Sequence, residues 1–218
     1  MKKFLSVLFL AVLLIVAGCG NETKNIEETS MNEQKPVVQD SSEIKTESSG
    51  TDLALILWQS KDGKDEDTMV LRFYPEKAPM HVKNFKDLAN KKFYDGLIIF
   101  RVEPNFVMQT GSPDNTNTSG PGYTIDAEFN DIKHLKGTLA MARSQDPNSA
   151  GSQFYICLAA APHLDNNYTV FGQVLKGMEV LDKVKKGDFM RKVTIVDAKS
   201  YFGDDYLAII DSMDIHNK

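Results

Sequence analysis

The chain has 218 residues, 42% of them hydrophobic and 25% charged, with 25 Lys and Arg against 30 Asp and Glu for a formal net charge of −5. That balance, with no block of Lys or Arg, excludes nucleic acid as a partner, which would need a basic face to neutralise phosphates. Cys19 and Cys157 cannot build a disulfide framework or a cysteine metal site, and His81, His134, His163 and His216 show no ligand spacing, so neither metal nor any other cofactor is expected.

In chain order, Lys2 and Lys3 precede an apolar run over 4–17 interrupted only by Ser6. The run is shorter than the roughly 20 residues a spanning helix needs, and its basic flank and small-residue exit are those of a signal peptide, placed at 1–18. The exit, Val16-Ala17-Gly18-Cys19, is similar to the bacterial lipobox, in which cleavage leaves a lipid-bearing Cys first. Cys19 is therefore the expected lipidation site, holding the protein on the outer face of the cell membrane; the plainer reading is an incidental small residue at an ordinary cleavage site. Residues 19–50 are polar and contain no aromatic, so they cannot bury enough surface to order themselves and read as a disordered tether. From 51 to 201 the composition changes to regular apolar segments, enough for one compact domain, with an extension over 202–218.

Within the domain, apolar runs at 53–58 and 68–73 flank the turn-forming Lys61-Asp62-Gly63-Lys64 and predict a β-hairpin. Val82, Phe85, Leu88 and Ala89 recur at helical spacing and predict a helix over 79–91, with Pro79 tolerated in its first turn. Short apolar runs follow at 97–102, 106–109, 137–143, 153–158 and 168–174. A second helix is predicted over 178–186, ended by Gly187, and a last strand over 192–198. The extension carries Tyr206, Leu207, Ile209, Ile210 and Met213, which suit either a short amphipathic helix or an irregular arm. Many strands with two helices point to a closed or nearly closed barrel rather than alternating βαβ units.

Four segments carry the functional signal: 93–111 (FYDGLIIFRVEPNFVMQTG), 120–125 (GPGYTI), 151–156 (GSQFYI), and Leu164-Asp165 through 170–172 (VFG). In this order and spacing, over about 52–200, they resemble the cyclophilin-type peptidyl-prolyl cis-trans isomerases. The resemblance implies a mainly β fold, an eight-stranded antiparallel closed barrel capped by two α-helices. Such a barrel is filled by its own side chains, so the site must lie on its outside.

It further implies that Arg101 is the catalytic residue and that Phe106 is the floor of a proline pocket with Val107 and Leu164 as walls and Tyr155 opposite. Gln109 and Gln153 would bind the substrate backbone and orient Arg101, Ala142 and Arg143 would line the peptide groove, and Tyr168 would hold a wall position often taken by His. The chain departs from the family pattern at Phe100 (commonly His), Val107 (Met), Thr110 (Gly), Arg143 (Asn) and His163 (Trp), so cyclosporin sensitivity is not implied. The expected activity is rotation of X-Pro bonds in proline-containing polypeptides, by a monomer, during folding of exported proteins. A proline-peptide binding module or chaperone without turnover would use the same pocket. Ser152 with His163 and Asp165 invites a hydrolase reading, but Gly151-Ser152-Gln153 lacks a nucleophile elbow.

Overall fold

The computed structural model describes residues 52–216. The signal segment, Cys19 and the 19–50 tether lie outside the described residues.

Strands β1 (Asp52–Gln59) and β2 (Glu66–Phe73) form the predicted hairpin, with Leu57 paired to Thr68 and Trp58 to Asp67. Ser60 closes the connecting turn: its N–H donates to the Asp65 carbonyl and its carbonyl accepts from Gly63, both at 2.9 Å. Helix α1 (Pro79–Asn90) begins on its proline, which has no N–H to leave unsatisfied, and buries Val82, Phe85, Leu88 and Ala89. The short strands β3 (Leu97–Ile98), β4 (Arg101–Glu103), β5 (Val107–Thr110), β6 (Thr138–Met141) and β7 (Phe154–Cys157) follow, then a single 3-10 turn at Pro162–Leu164. Strand β8 (Val170–Lys176), helix α2 (Met178–Lys183), strand β9 (Phe189–Asp197) and helices α3 (Ala198–Phe202) and α4 (Tyr206–Met213) complete the domain.

The strands make one antiparallel sheet in the order β3-β9-β1-β2-β8-β6-β7-β5-β4. It curls into a half-barrel of nine strands, which corrects the expected closed barrel of eight. The difference arises at 97–102, expected as one strand. Ile99 and Phe100 are buried in succession, at 1% and 9% exposure, which breaks the alternation of faces that a continuous strand requires. Ile99 instead exchanges backbone hydrogen bonds with the turn before β9, donating to Asp188 at 2.8 Å and accepting from Gly187 at 2.9 Å. The segment splits into β3, paired to β9, and β4, paired to β5, so the two edges are joined through the chain and not by a ladder.

The helices also depart from expectation, being four among the described residues rather than two. Helix α2 stops at Lys183 because Asp188, 2% exposed, gathers donors that pull the chain out of helical geometry. Its carboxylate accepts from the Lys185 N–H at 2.8 Å, the Lys61 N–H at 2.9 Å and the Trp58 indole at 3.1 Å. The expected last strand ends at Asp197 and Ala198–Phe202 forms α3, while the extension folds as α4; Ala198 and Ile210 close over Leu53, Val70 and Leu175 on the outer side of the sheet. Arg72 pairs with Asp214 at 2.7 Å, and Gln173 accepts from the Ile215 N–H at 3.0 Å. The extension is thus a fitted cover, the helical alternative of the two. No helix among the described residues is long and apolar enough to cross a membrane.

The principal core lies between the concave side of the sheet and α1, centred on Phe85. Its ring meets those of Tyr94, Phe154, Phe73 and Phe171 at centroid distances of 4.9, 5.3, 5.5 and 5.7 Å.

Candidate active site

Strand register builds the site. Arg101 lies opposite Gln109, Gln109 opposite Tyr155, and Tyr155 opposite Ala140. Side chains alternate faces along a strand, so this row and the row Glu103, Val107, Cys157 share the outer face, while Val102, Met108, Ile156 and Leu139 turn into the core. The outer rows carry a second apolar cluster of Val107, Ala140, Tyr155, Cys157, Leu164 and Val170, against which Phe106, Ala142 and Tyr168 pack.

A chain of side-chain hydrogen bonds crosses the polar half of this face. The Arg101 guanidinium donates to Gln109 Oε1 at 3.1 Å, Gln109 Nε2 donates to Gln153 Oε1 at 2.9 Å, and Gln153 Nε2 donates to the Ser119 carbonyl at 2.7 Å. Each amide thereby has one orientation, and the guanidinium is held with its centre 5.8 Å from the Phe106 ring. Gly111, at φ +88°, turns the chain out of β5; a Cβ there would lie 2.3 Å from the Ser152 carbonyl.

Arg101, Gln109, Ala142, Arg143 and Gln153 line an open cavity of about 830 Å³, whose far wall is the loop 117–124. Phe106, Val107, Tyr155, His163, Leu164 and Tyr168 gather beside it in the apolar half. His163 stacks on Phe106 at 5.3 Å and 27°, and Tyr168 meets Tyr155 edge-on at 5.9 Å. Val107 is 2% exposed and lies beneath this surface. Ser152 is fully buried with its hydroxyl donating to the Gly111 carbonyl at 2.6 Å, and His163 is engaged with Phe106, so the hydrolase geometry is absent.

The model of the family "Cyclophilin type peptidyl-prolyl cis-trans isomerase/CLD" matches residues 60–200. The chain belongs to the cyclophilin family. Among curated relatives, "Peptidyl-prolyl cis-trans isomerase B" of Bacillus subtilis is 44% identical over 134 residues, 61% of this chain and 93% of that protein. A "Peptidyl-prolyl cis-trans isomerase" of Helicobacter pylori is 42% identical over 129 residues, 57% of this chain and 78% of that protein. The crystal structure of a Cryptosporidium parvum cyclophilin-type isomerase in the presence of the dipeptide Ala-Pro superposes with a TM-score of 0.61 at 25% identity, over 66% of this chain and 99% of that one.

Two groups in this cyclophilin were given no individual role from sequence. The wall 117–124 overlaps the segment 120–125, and Tyr123 ties it to α1 through its hydroxyl, which donates to Asn84 Oδ1 at 2.6 Å. His134 is 1% exposed and lies under Tyr155, with Nε2 3.0 Å from the phenol oxygen and Nδ1 3.0 Å from Asp165 Oδ1. A carboxylate can only accept, so Nδ1 carries the proton and neutral Nε2 accepts from Tyr155. No local pattern announces this triad, because Tyr155 and Asp165 are 21 and 31 residues away.

Burial holds His81, His134 and His216 below the ordinary histidine value of 6.5, and the carboxylates Glu128 and Asp165 offset part of the shift for the first two. Histidines kept neutral in the fold become charged on unfolding, so below 6.5 the unfolded chain binds more protons and stability falls as pH drops. The urea midpoint is expected to be lower at about pH 5 than at about pH 7.5, a range above most carboxylate titration. A flat profile would show that these imidazoles are not buried neutral. The Cys157 thiol, buried in the second cluster, is pushed up to about 12 and behaves as an apolar group.

Proposed function

We propose that this chain catalyses cis-trans rotation of X-Pro peptide bonds, with Arg101 as the catalytic residue, and does so on exported polypeptides outside the cytoplasmic membrane. The observation that carries the first part is the Arg101 guanidinium, fixed by Gln109 and Gln153 beside the apolar ring of Phe106.

Peptide rotation meets a barrier of about 18–20 kcal/mol because nitrogen shares its lone pair with the carbonyl. No covalent bond need break. What lowers the barrier is anything that binds the twisted state better than either planar one. In the twisted state the prolyl nitrogen is pyramidal and its lone pair is localised, ready to accept a hydrogen bond. A guanidinium N–H aimed at that nitrogen gains strength only as the bond turns. Phe106, with Leu164 and Tyr155 beside it, would hold the pyrrolidine ring still by apolar contact, so that the carbonyl side turns. Gln109 and Gln153 would keep the guanidinium from following, while their remaining capacity and Ala142 hold the substrate backbone. A dry floor on one side of Arg101 strengthens its bond to the nitrogen. The Ala-Pro dipeptide of the Cryptosporidium relative supports proline as the recognised unit.

The test is the cis-to-trans rate of a proline tetrapeptide with and without the protein. Acceleration above the spontaneous exchange, which takes tens of seconds or longer, is expected. Peptide binding with an unchanged rate would leave a proline-binding module in place of an isomerase.

The second part rests on the basic flank, the apolar run and the Val16-Ala17-Gly18-Cys19 exit. These support cleavage before Cys19 and a lipid anchor, with residues 19–50 holding the domain clear of the surface. Cys19→Ala is expected to release the protein from the membrane fraction. An unmodified mature N-terminus by mass, with Cys19→Ala still membrane-bound, would refute the anchor.

A further inference from the structure

Arg143 follows β6 at the rim of the cavity, where Ala142 donates its N–H to the Gln153 carbonyl at 2.9 Å. Its guanidinium is fixed by backbone. Nε and Nη2 donate to the Asn167 carbonyl at 3.1 and 2.9 Å, and Nη1 donates to the carbonyls of Ser144 and Gln145 at 2.9 and 3.2 Å. The cation lies over the Tyr168 ring at 4.6 Å and within 5.7 Å of the Phe129 ring.

All those partners are neutral. Among the described residues that line the cavity there is no Asp or Glu. Arg101 differs, since Glu103 Oε1 lies 3.6 Å from its Nε and takes up part of its charge. Among the described residues Arg143 is therefore the uncompensated cation of the groove, on a chain whose acidic residues outnumber its basic ones. Its carbonyl bonds use four of the five guanidinium N–H groups, so the side chain is already ordered and one donor is left. An arriving anion would not have to bear the cost of ordering a long side chain, which is what makes ordinary surface pairs weak.

We propose that Arg143 makes this groove selective for substrates that carry a carboxylate side chain close to the proline. The inference rests on the isomerase reading and names the substrate class of the same site. The reach is set by Tyr168, which touches both the Arg143 guanidinium and Tyr155 of the apolar half. One or two extended residues, at about 3.3 Å each, span such a step.

The experiment measures kcat/KM of the full chain on proline peptides in which Glu, Gln or Lys is placed in turn at the two positions before and the two after proline. At one of these positions Glu is expected to exceed Lys by roughly tenfold at low salt, with Gln between, because attraction and repulsion both contribute. Raising the salt to about 0.5 M should shrink that ratio towards one. Arg143→Gln should bring the low-salt ratio to within about twofold, whereas Arg143→Lys, which keeps the charge but loses the carbonyl bonds that order the side chain, should leave a ratio between those of the wild type and Arg143→Gln.

A ratio near one at every position in the wild type overturns the proposal. So does a ratio undiminished in Arg143→Gln, or one as flat in Arg143→Lys as in Arg143→Gln, which would make Arg143 a latch between loops. If Arg143→Gln does not fold, the wild-type salt series and the Lys variant still decide. Absence of acceleration on every peptide would sink the isomerase reading, and this one with it; acceleration without charge preference sinks this one alone.

Discussion

Arg101→Ala is expected to lower kcat/KM for a proline tetrapeptide by roughly 10²- to 10³-fold, the size of loss seen when one preorganised donor is removed from a transition state. The loss should fall on kcat, since the ring-binding surface of Phe106, Leu164 and Tyr155 is left in place and the ground-state planar nitrogen is a poor acceptor. Stability should change little: the side chain is 43% exposed and its tightest partner, Gln109, keeps its bond to Gln153. Arg101→Lys should recover only a small part of the rate, because an ammonium cannot donate to Gln109 and to the prolyl nitrogen from one rigid plane. Full activity in a folded Arg101→Ala protein would remove Arg101 from the mechanism.

Phe85→Ala should have the largest effect on stability, about 3–5 kcal/mol, which for a domain of this size lowers Tm by about 10 °C. The residue is fully buried and its ring is shared by α1, β2, β7, β8 and the turn at Tyr94, so no single neighbour can move in to fill the space. Phe154, one of those partners, precedes Tyr155 on β7. Loss of packing there should therefore also loosen the outer row that presents Tyr155. Phe85→Leu should cost less than half as much, since it retains most of the apolar volume. A melting shift under about 2 °C for Phe85→Ala would mean that the core is not organised around this ring.

Much of this was legible because it is local. The hairpin was visible from its two apolar runs and the Lys61-to-Lys64 turn, and α1 from Pro79 and the spacing of Val82, Phe85, Leu88 and Ala89. The residues that the resemblance assigns to a site come from separate motifs, and the fold places five of them around the cavity and six in the apolar half beside it. The misreadings share a cause. A single strand over 97–102 ignored that Ile99 bonds to the Gly187–Asp188 turn, and a helix to 186 ignored that Asp188 would claim the Lys185 N–H. The bonds of His134 to Tyr155 and Asp165 had no signal in the sequence because those partners come from other parts of the chain.

The amino-acid sequence by itself determined the order of the apolar segments and the start of α1, since periodicity and proline geometry act over a few residues, and motif spacing carried the resemblance that singles out Arg101. The tertiary structure alone decided which rows of β4, β5 and β7 face outward, where the sheet opens, and that Arg143, among the described residues, has only neutral partners while Arg101 lies beside Glu103. It also decided that the extension folds as a helix against Leu53 and Val70. These features depend on register and on buried polar bonds between distant residues, such as Trp58 to Asp188 across 130 positions, and no local window contains both partners.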